Sequence, residues 1–136
     1  MNHGPEATNR NQLESLLVED GEQAIDTLLE ETLKPFVGFS RSGQMITKPE
    51  FLKLSQPDRL LVCLLGCHVM VRLKLPNASL ELAPEALEKE CSVPLKNARE
   101  HLSRCKARRL LEKNARGYYI PSWAVLSVCK IVKKGA

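Results

Sequence analysis

The sequence predicts a mainly α-helical chain with small β-hairpins. Three observations carry that prediction. Apolar residues recur at three- and four-residue spacing over four separate stretches, two short apolar runs around a Gly-bearing loop interrupt that spacing at each of two places, and cap-type residues or prolines stand where helices would open. With 136 residues, 26% charged and 43% apolar, the chain is long enough to bury a core without disulfide or metal staples.

Residues 1–10 have little to bury and read as a loose tail. From Asn11 to Lys34, Leu13, Leu16, Leu17, Ala24, Ile25, Leu28, Leu29 and Leu33 mark one face of an amphipathic helix, with Gly21 as a point of kinking or splitting. The run "PFVGFSRSGQMIT" changes period. Its short apolar pieces flank Arg41-Ser42-Gly43-Gln44, the pattern of a hairpin of two brief strands. Residues 11–49 are therefore expected to form a helix and hairpin that pack on the remainder of the chain or on a second copy.

Residues 50–136 form the larger unit. Ser55 and Asp58 have the spacing of a helix-opening cap, and the stretch from Arg59 to Leu75 is apolar on nearly every side, so it belongs at the centre, ended by Pro76-Asn77. After the short apolar piece "SLELA", Pro84 takes a first-turn position, Glu85 and Glu88 suit the positive end of a helix, and Leu87 and Cys91 face inward. "CSVP" ends that helix. Pro94 opens a longer one, about 94–109, that buries Leu95, Ala98, Leu102, Cys105 and the edge of Arg109. Two helices joined by a tight turn holding Val93 make a helix-turn-helix. "LLEK" and "YYIP", joined by "NARG", then read as a hairpin over about 110–121, its neighbouring tyrosines dividing between a packed and an exposed side. From Ser122, the residues Val125, Val128, Cys129 and Val132 describe a last amphipathic helix that ends in lysines, with Trp123 expected to anchor it.

Charge is distributed unevenly. The formal net charge is +4, but residues 1–34 sum to −6, residues 35–79 to +4 and residues 80–136 to +6. The stretch 92–121 alone holds eight Lys or Arg against two Glu. Such polarity suits an anionic partner, with the acidic segment folded elsewhere or against a like protomer.

Five cysteines at 63, 67, 91, 105 and 129 sit inside helix-like apolar patterns and read as reduced, buried thiols. Cys63, Cys67 and His68 share a helix face, but no second Cys/His pair with finger-like spacing follows, so packing is the reading and no metal or other cofactor is expected. The polar opening "MNHGPEATNRNQ" is no signal peptide and "LLVCLLGCHVMV" is too short to span a bilayer, which predicts a cytoplasmic protein without membrane contact. No phosphate loop, nucleophile motif or two-carboxylate pattern appears, so an enzyme is not expected.

The stretch "LAPEALEKECSVPLKNAREHLSRCKARRLLEKNARGYYIP" resembles the winged helix-turn-helix superfamily of bacterial and archaeal transcription regulators. The likeness rests on the short helix, the turn around Val93, the inward Ala98 and Leu102, the "LL" opening the wing and the returning Tyr118-Tyr119 pair. It covers about a third of the chain, and close to two thirds if the central helix is counted. What the resemblance implies is a second helix laid in the major groove of double-stranded DNA and a wing on the adjacent backbone. Carried over, Lys96, Asn97, Arg99 and Glu100 fall where family members meet bases or phosphates, Arg104 and Arg108 continue that face, and Arg116 lies at the wing tip. Two positions depart from the pattern: Glu100 puts a carboxylate among phosphates, and Arg109 stands where many members end the helix with Gly.

The expectation is thus a DNA-binding regulator acting as a homodimer, the acidic first helix, the last helix or both supplying the interface. Two other readings stand beside it: a winged-helix adaptor with a protein partner, and an RNA-binding protein.

Overall fold

The computed structural model describes residues 21–135. The tail expected over 1–10 and the first turns expected from Asn11, with Leu13, Leu16 and Leu17, lie outside the described residues. The element order is α1 (Gly21–Leu33), a hairpin of β1 (Val37–Phe39) and β2 (Met45–Thr47), a 3-10 helix (Pro49–Lys53), α2 (Gln56–Arg72), α3 (Pro84–Cys91), α4 (Leu95–Ala107), a second hairpin of β3 (Glu112–Asn114) and β4 (Gly117–Tyr119), a 3-10 turn (Ser122–Ala124) and α5 (Val125–Gly135). The described residues are mainly helical with two small antiparallel hairpins, as the periodicity predicts.

The greasy-all-round stretch takes the centre. Ser55 caps α2, its hydroxyl accepting the Asp58 N–H at 3.3 Å, and every residue from Leu60 to His68 is buried. Helices α1, α3, α4 and α5 all pack on α2. Burying each of its leucines contributes about 1.5–3 kcal/mol, which explains why the other elements gather round it. The helix stops three residues short of the expected Leu75. Lys74 adopts a left-handed φ of 56°, and the Lys74 and Leu75 N–H groups bond back to the carbonyls of Val71 and Met70 at 3.1 and 3.0 Å. This closure reverses the chain before Pro76, whose ring disfavours a helical residue ahead of it.

Helix α1 buries Leu29 and Leu33 against α2 and α5, and Phe36 and Val37 join the same core, so the helix and hairpin do pack on their own chain. Two acids of α1 are answered locally: Asp26 pairs with Arg72, and Glu31 with Lys133 at 3.2 Å. The first hairpin pairs Val37 with Thr47 and Phe39 with Met45. It approaches α2 at Gly66, where a Cβ would meet the Met45 sulfur at 3.0 Å and the Phe39 ring at 3.3 Å.

Helices α3 and α4 are joined through Ser92, Val93 and Pro94. Ser92 is left-handed at φ 55° and its N–H closes on the Glu88 carbonyl at 3.1 Å, while Val93 is buried as expected. The Glu88 carboxylate then accepts the Leu95 N–H at 3.2 Å, giving the opening of α4 a cap that Pro94 does not offer. Arg59 of α2 donates to the Ser92 carbonyl at 3.4 Å, and the Cys91 thiol donates to the Arg59 carbonyl at 3.5 Å, fixing the turn to the start of the central helix.

Helix α4 buries Ala98, Leu102 and Cys105. It ends at Ala107, not at Arg109, because Arg109 turns left-handed at φ 63°. The Arg109 N–H meets the Lys106 carbonyl and the Leu110 N–H meets the Cys105 carbonyl, each at 3.0 Å. Leu110 and Cys105 are both buried, the apolar contact that accompanies such a helix end.

In the second hairpin Glu112 pairs with Tyr119 and Asn114 with Gly117. The Asn114 side-chain oxygen accepts the N–H groups of Arg116 and Gly117 at 2.8 and 3.3 Å, holding the turn. Leu82, inside the piece read only as short and apolar, exchanges both backbone hydrogen bonds with Tyr118, at 3.0 and 2.9 Å. A one-residue third strand therefore ties the segment before α3 to the hairpin. Tyr118 is buried with the Lys113 ammonium 5.4 Å from its ring centre, whereas Tyr119, expected on an exposed side, is half-buried.

His68 connects the central helix to the end of β4. Its Nε2 lies 2.6 Å from the Ile120 carbonyl oxygen, which can only accept, so Nε2 carries the proton. Burial holds its pKa below the usual histidine value, the bond to Ile120 pulls it up, and Arg72 pushes it down. Helix α5 buries Val125, Val128, Cys129 and Val132, the set its spacing predicts. All five cysteines are free and buried. Burial pushes the Cys67 thiol up to about 12 and Cys63 well above its ordinary value, so both stay protonated thiols. Among the described residues no three His, Cys, Asp or Glu side chains are placed to hold a metal, and no helix is long and apolar enough to cross a membrane.

Candidate nucleic-acid interface

With Ala98, Leu102 and Cys105 held in the core, the helical turn of about 100° per residue leaves α4 two outward flanks. On one, Asn97 and His101 reach Gln56 at the start of α2, with Arg104 on the same side. On the other, Arg99 reaches Glu85 at the start of α3, with Lys106 on the same side, while Lys96 and Glu100 point away from the core between the two.

The residues expected to touch a ligand separate into three groups. Lys96, Arg104 and Arg108 are exposed, and no carboxylate pairs with them among the described residues. Glu100 is likewise exposed, and neither Lys96–Glu100 nor Arg108–Glu112 closes to an ion pair. The latter cannot act as a helical pair, because α4 ends before Arg108 and Glu112 lies in β3.

Arg99 and Arg116 are exposed but already face acids. The Arg99 guanidinium meets the Glu85 carboxylate of α3 at 3.0 Å, with 59% and 62% of the two side chains exposed. An ion pair this open to water contributes at most about 1 kcal/mol and is readily exchanged. Arg116 lies at the hairpin tip near Glu81. That carboxylate accepts the Ser79 hydroxyl at 2.7 Å and the Asn114 amide at 3.1 Å, and these bonds, with smaller help from Arg116, hold its pKa below the usual range.

Asn97 differs from expectation. It is half-buried, and its amide donates to the Gln56 side-chain oxygen at 3.2 Å, an oxygen that also accepts from His101 Nε2 at 3.2 Å. Its position on the flank beside α2 turns it toward the protein, so an amide read as outward is engaged in positioning α4.

Sequence reasoning also missed a basic hollow at the far end of α4. Trp123, expected as an anchor for the last helix, is 65% exposed, and Ala124 and Val125 enter the core in its place. With Lys106, Arg109, Leu111, Glu112 and Lys113 it lines a hollow of about 470 Å³ beside β3. The available signal was "KARR" running into a strand with a tryptophan just after the returning strand. What spacing could not supply was the left-handed Arg109, which redirects the chain so that these residues converge.

A second, more apolar groove of about 520 Å³ runs between α1, β1 and the end of α2, with the Asp26–Arg72 pair among its lining residues. No protein-family model matches this chain, and neither a curated protein nor a solved structure does.

Proposed function

We propose that this protein binds double-stranded DNA in transcriptional control, as a winged helix-turn-helix module in which α3 and α4 form the helix pair and β3–β4 the wing. The observation that carries the reading is three exposed cations, Lys96 and Arg104 on α4 and Arg108 just past its end, with no carboxylate paired to them among the described residues, while Asp26 and Glu31 of α1 pair with Arg72 and Lys133 elsewhere. Exposed guanidinium groups such as those of Arg104 and Arg108 meet phosphate oxygens through paired, charge-assisted hydrogen bonds. The one-residue strand at Leu82 supports the reading, since it fastens the hairpin beside α3 so that helix and wing move as one body. The Asn97 amide is engaged by Gln56, so base contacts in this reading rest on Lys96, Arg99 and Glu100, the last able to accept from a cytosine amine. A homodimer places two α4 helices on successive half-sites.

Fluorescence anisotropy with a labelled blunt duplex over a salt series tests this. Affinity is expected to fall with a log–log slope of about −4 to −5, the value for five neutralised phosphates. Replacing Arg99 and Arg104 by glutamate should abolish binding while the circular dichroism and thermal midpoint stay near wild type. Salt-insensitive binding, or undiminished binding by the folded double variant, overturns the proposal.

A further inference from the structure

The hollow at the end of α4 has a composition the duplex reading does not use. Three cations, Lys106, Arg109 and Lys113, surround it with a single carboxylate, Glu112, and Trp123 offers an indole that is 65% exposed. An exposed tryptophan in a soluble fold costs hydration free energy unless something covers it. The charge around this one selects an anion-bearing cover. The hollow's volume of about 470 Å³ falls within the range of ligand pockets, roughly 300–1,000 Å³.

Local structure fixes the arrangement. Arg109 is left-handed with its backbone N–H closed on the Lys106 carbonyl at 3.0 Å, and both residues line the hollow. Lys113 stands over the buried Tyr118 ring, and Trp123 sits on the 3-10 turn that leaves β4. A flat aromatic face flanked by cations matches a nucleotide, whose base stacks and whose phosphate is held by charge.

We propose that this hollow takes an unpaired nucleotide of a DNA strand, its base stacked on Trp123 and its phosphate held by Lys106 and Arg109. The inference deepens the duplex-binding reading and rests on it for the neighbouring helical DNA: α4 and the hairpin hold the duplex, and the end of α4 holds a strand leaving it. A base in a duplex is already stacked on both faces, so the hollow distinguishes a single-stranded extension from a blunt end.

Trp123 is the only tryptophan in the chain, so its fluorescence reports this contact alone. The wild-type protein and Trp123→Ala would be titrated with a blunt duplex, the same duplex bearing a short oligothymidine extension, and the free oligothymidine strand. Expected is tryptophan quenching by the extended duplex, none by the blunt one, and tighter binding of the extended form. The Trp123→Ala variant should lose that advantage, by roughly 5- to 100-fold, the range of one aromatic–base stack, while keeping its affinity for the blunt duplex. Lys106→Glu should lose the advantage too, which separates recognition from a fold defect. Equal affinities without quenching sink the inference and leave the duplex reading standing. Quenching by the free strand without duplex binding sinks the duplex reading and sustains the nucleotide site, and failure of all three ligands sinks both.

Discussion

Replacing Gly117 by alanine tests the way the second hairpin is fastened to the fold. The residue has φ 143°, and a Cβ built there would lie 2.7 Å from the Ala83 nitrogen and closer still to the Leu82 carbonyl group. Those atoms are backbone and cannot swing aside. To admit the methyl group, Leu82 must retreat from Tyr118, breaking the two hydrogen bonds at 3.0 and 2.9 Å that join them. Each such bond contributes about 1 kcal/mol net, and a side chain at this φ adds about 1–3 kcal/mol of strain. The expected loss is about 3–5 kcal/mol, a large share of the roughly 5–15 kcal/mol that holds an ordinary domain folded. Urea unfolding followed by circular dichroism reads it directly, and the thermal midpoint should fall by about 10–20 °C. Gly38 is the internal control: its added Cβ meets nothing within 4 Å, so Gly38→Ala should be neutral or stabilise by up to about 1 kcal/mol. If both variants unfold within 1 kcal/mol of wild type, the close approach of Gly117 to Leu82 does not fasten the hairpin and the argument is wrong.

Three further outcomes are expected. Arg109→Gly should stabilise the chain by about 1 kcal/mol in the same urea assay, because glycine occupies the left-handed position without penalty, and no gain would mean that the Arg109 side chain compensates for its own strain. His68 has a folded pKa depressed by burial, so its contribution is fully present above the unfolded value of 6.5 and is lost as pH falls through the folded value. Stability measured on the acid side of 6.5 should therefore decline less in His68→Gln, which keeps a donor for Ile120 without titrating, and an unchanged pH profile would contradict the assignment. Glu85→Gln frees Arg99 from its carboxylate, so it should tighten duplex binding while leaving the salt slope at about −4 to −5, because Arg99 is already among the cations that set that slope, whereas an unaltered affinity would show that Arg99 takes no part in binding.

The helices were legible because burial enforces their period. Leu87, Ala98, Leu102, Val125, Val128 and Val132 are inward by spacing, and all are buried in the fold. The Ser55–Asp58 opening and the Val93 turn were legible for the same reason, since cap chemistry and a lone apolar residue between Ser92 and Pro94 are local signals. Helix ends were less so. Lys74, Ser92 and Arg109 all take left-handed backbone without being glycine, so the residues that stop α2, α3 and α4 carry none of the usual marks. The Leu82–Tyr118 bridge joins positions 36 residues apart through a single pair, which leaves no alternation to read. At the site, spacing identified which side chains leave the core, but not what they meet outside it. Asn97 and Trp123 were exchanged on that account: Gln56 captures the amide, and the turn after β4 delivers the indole to solvent.

The segregation of charge bears on how the proposed interface would work. Fields between exposed charges decay over about 8 Å at physiological salt, so acids matter to a docking polyanion only when they lie beside the cations it meets. The α1 acids Asp26 and Glu31 pair with Arg72 and Lys133, which already removes much of their reach. Among the described residues, the carboxylates that count are Glu81, Glu85 and Glu100, set against Arg116, Arg99 and the exposed cations of α4. Each would repel a phosphate placed directly on it, while the neighbouring guanidinium would attract one a few ångströms away. An array of alternating preferences favours one register of a phosphate backbone over its displaced alternatives, which a uniformly cationic surface would hold almost equally well. On this reading the carboxylates reduce affinity and sharpen placement, so the acidic residues among the bases are part of the recognition.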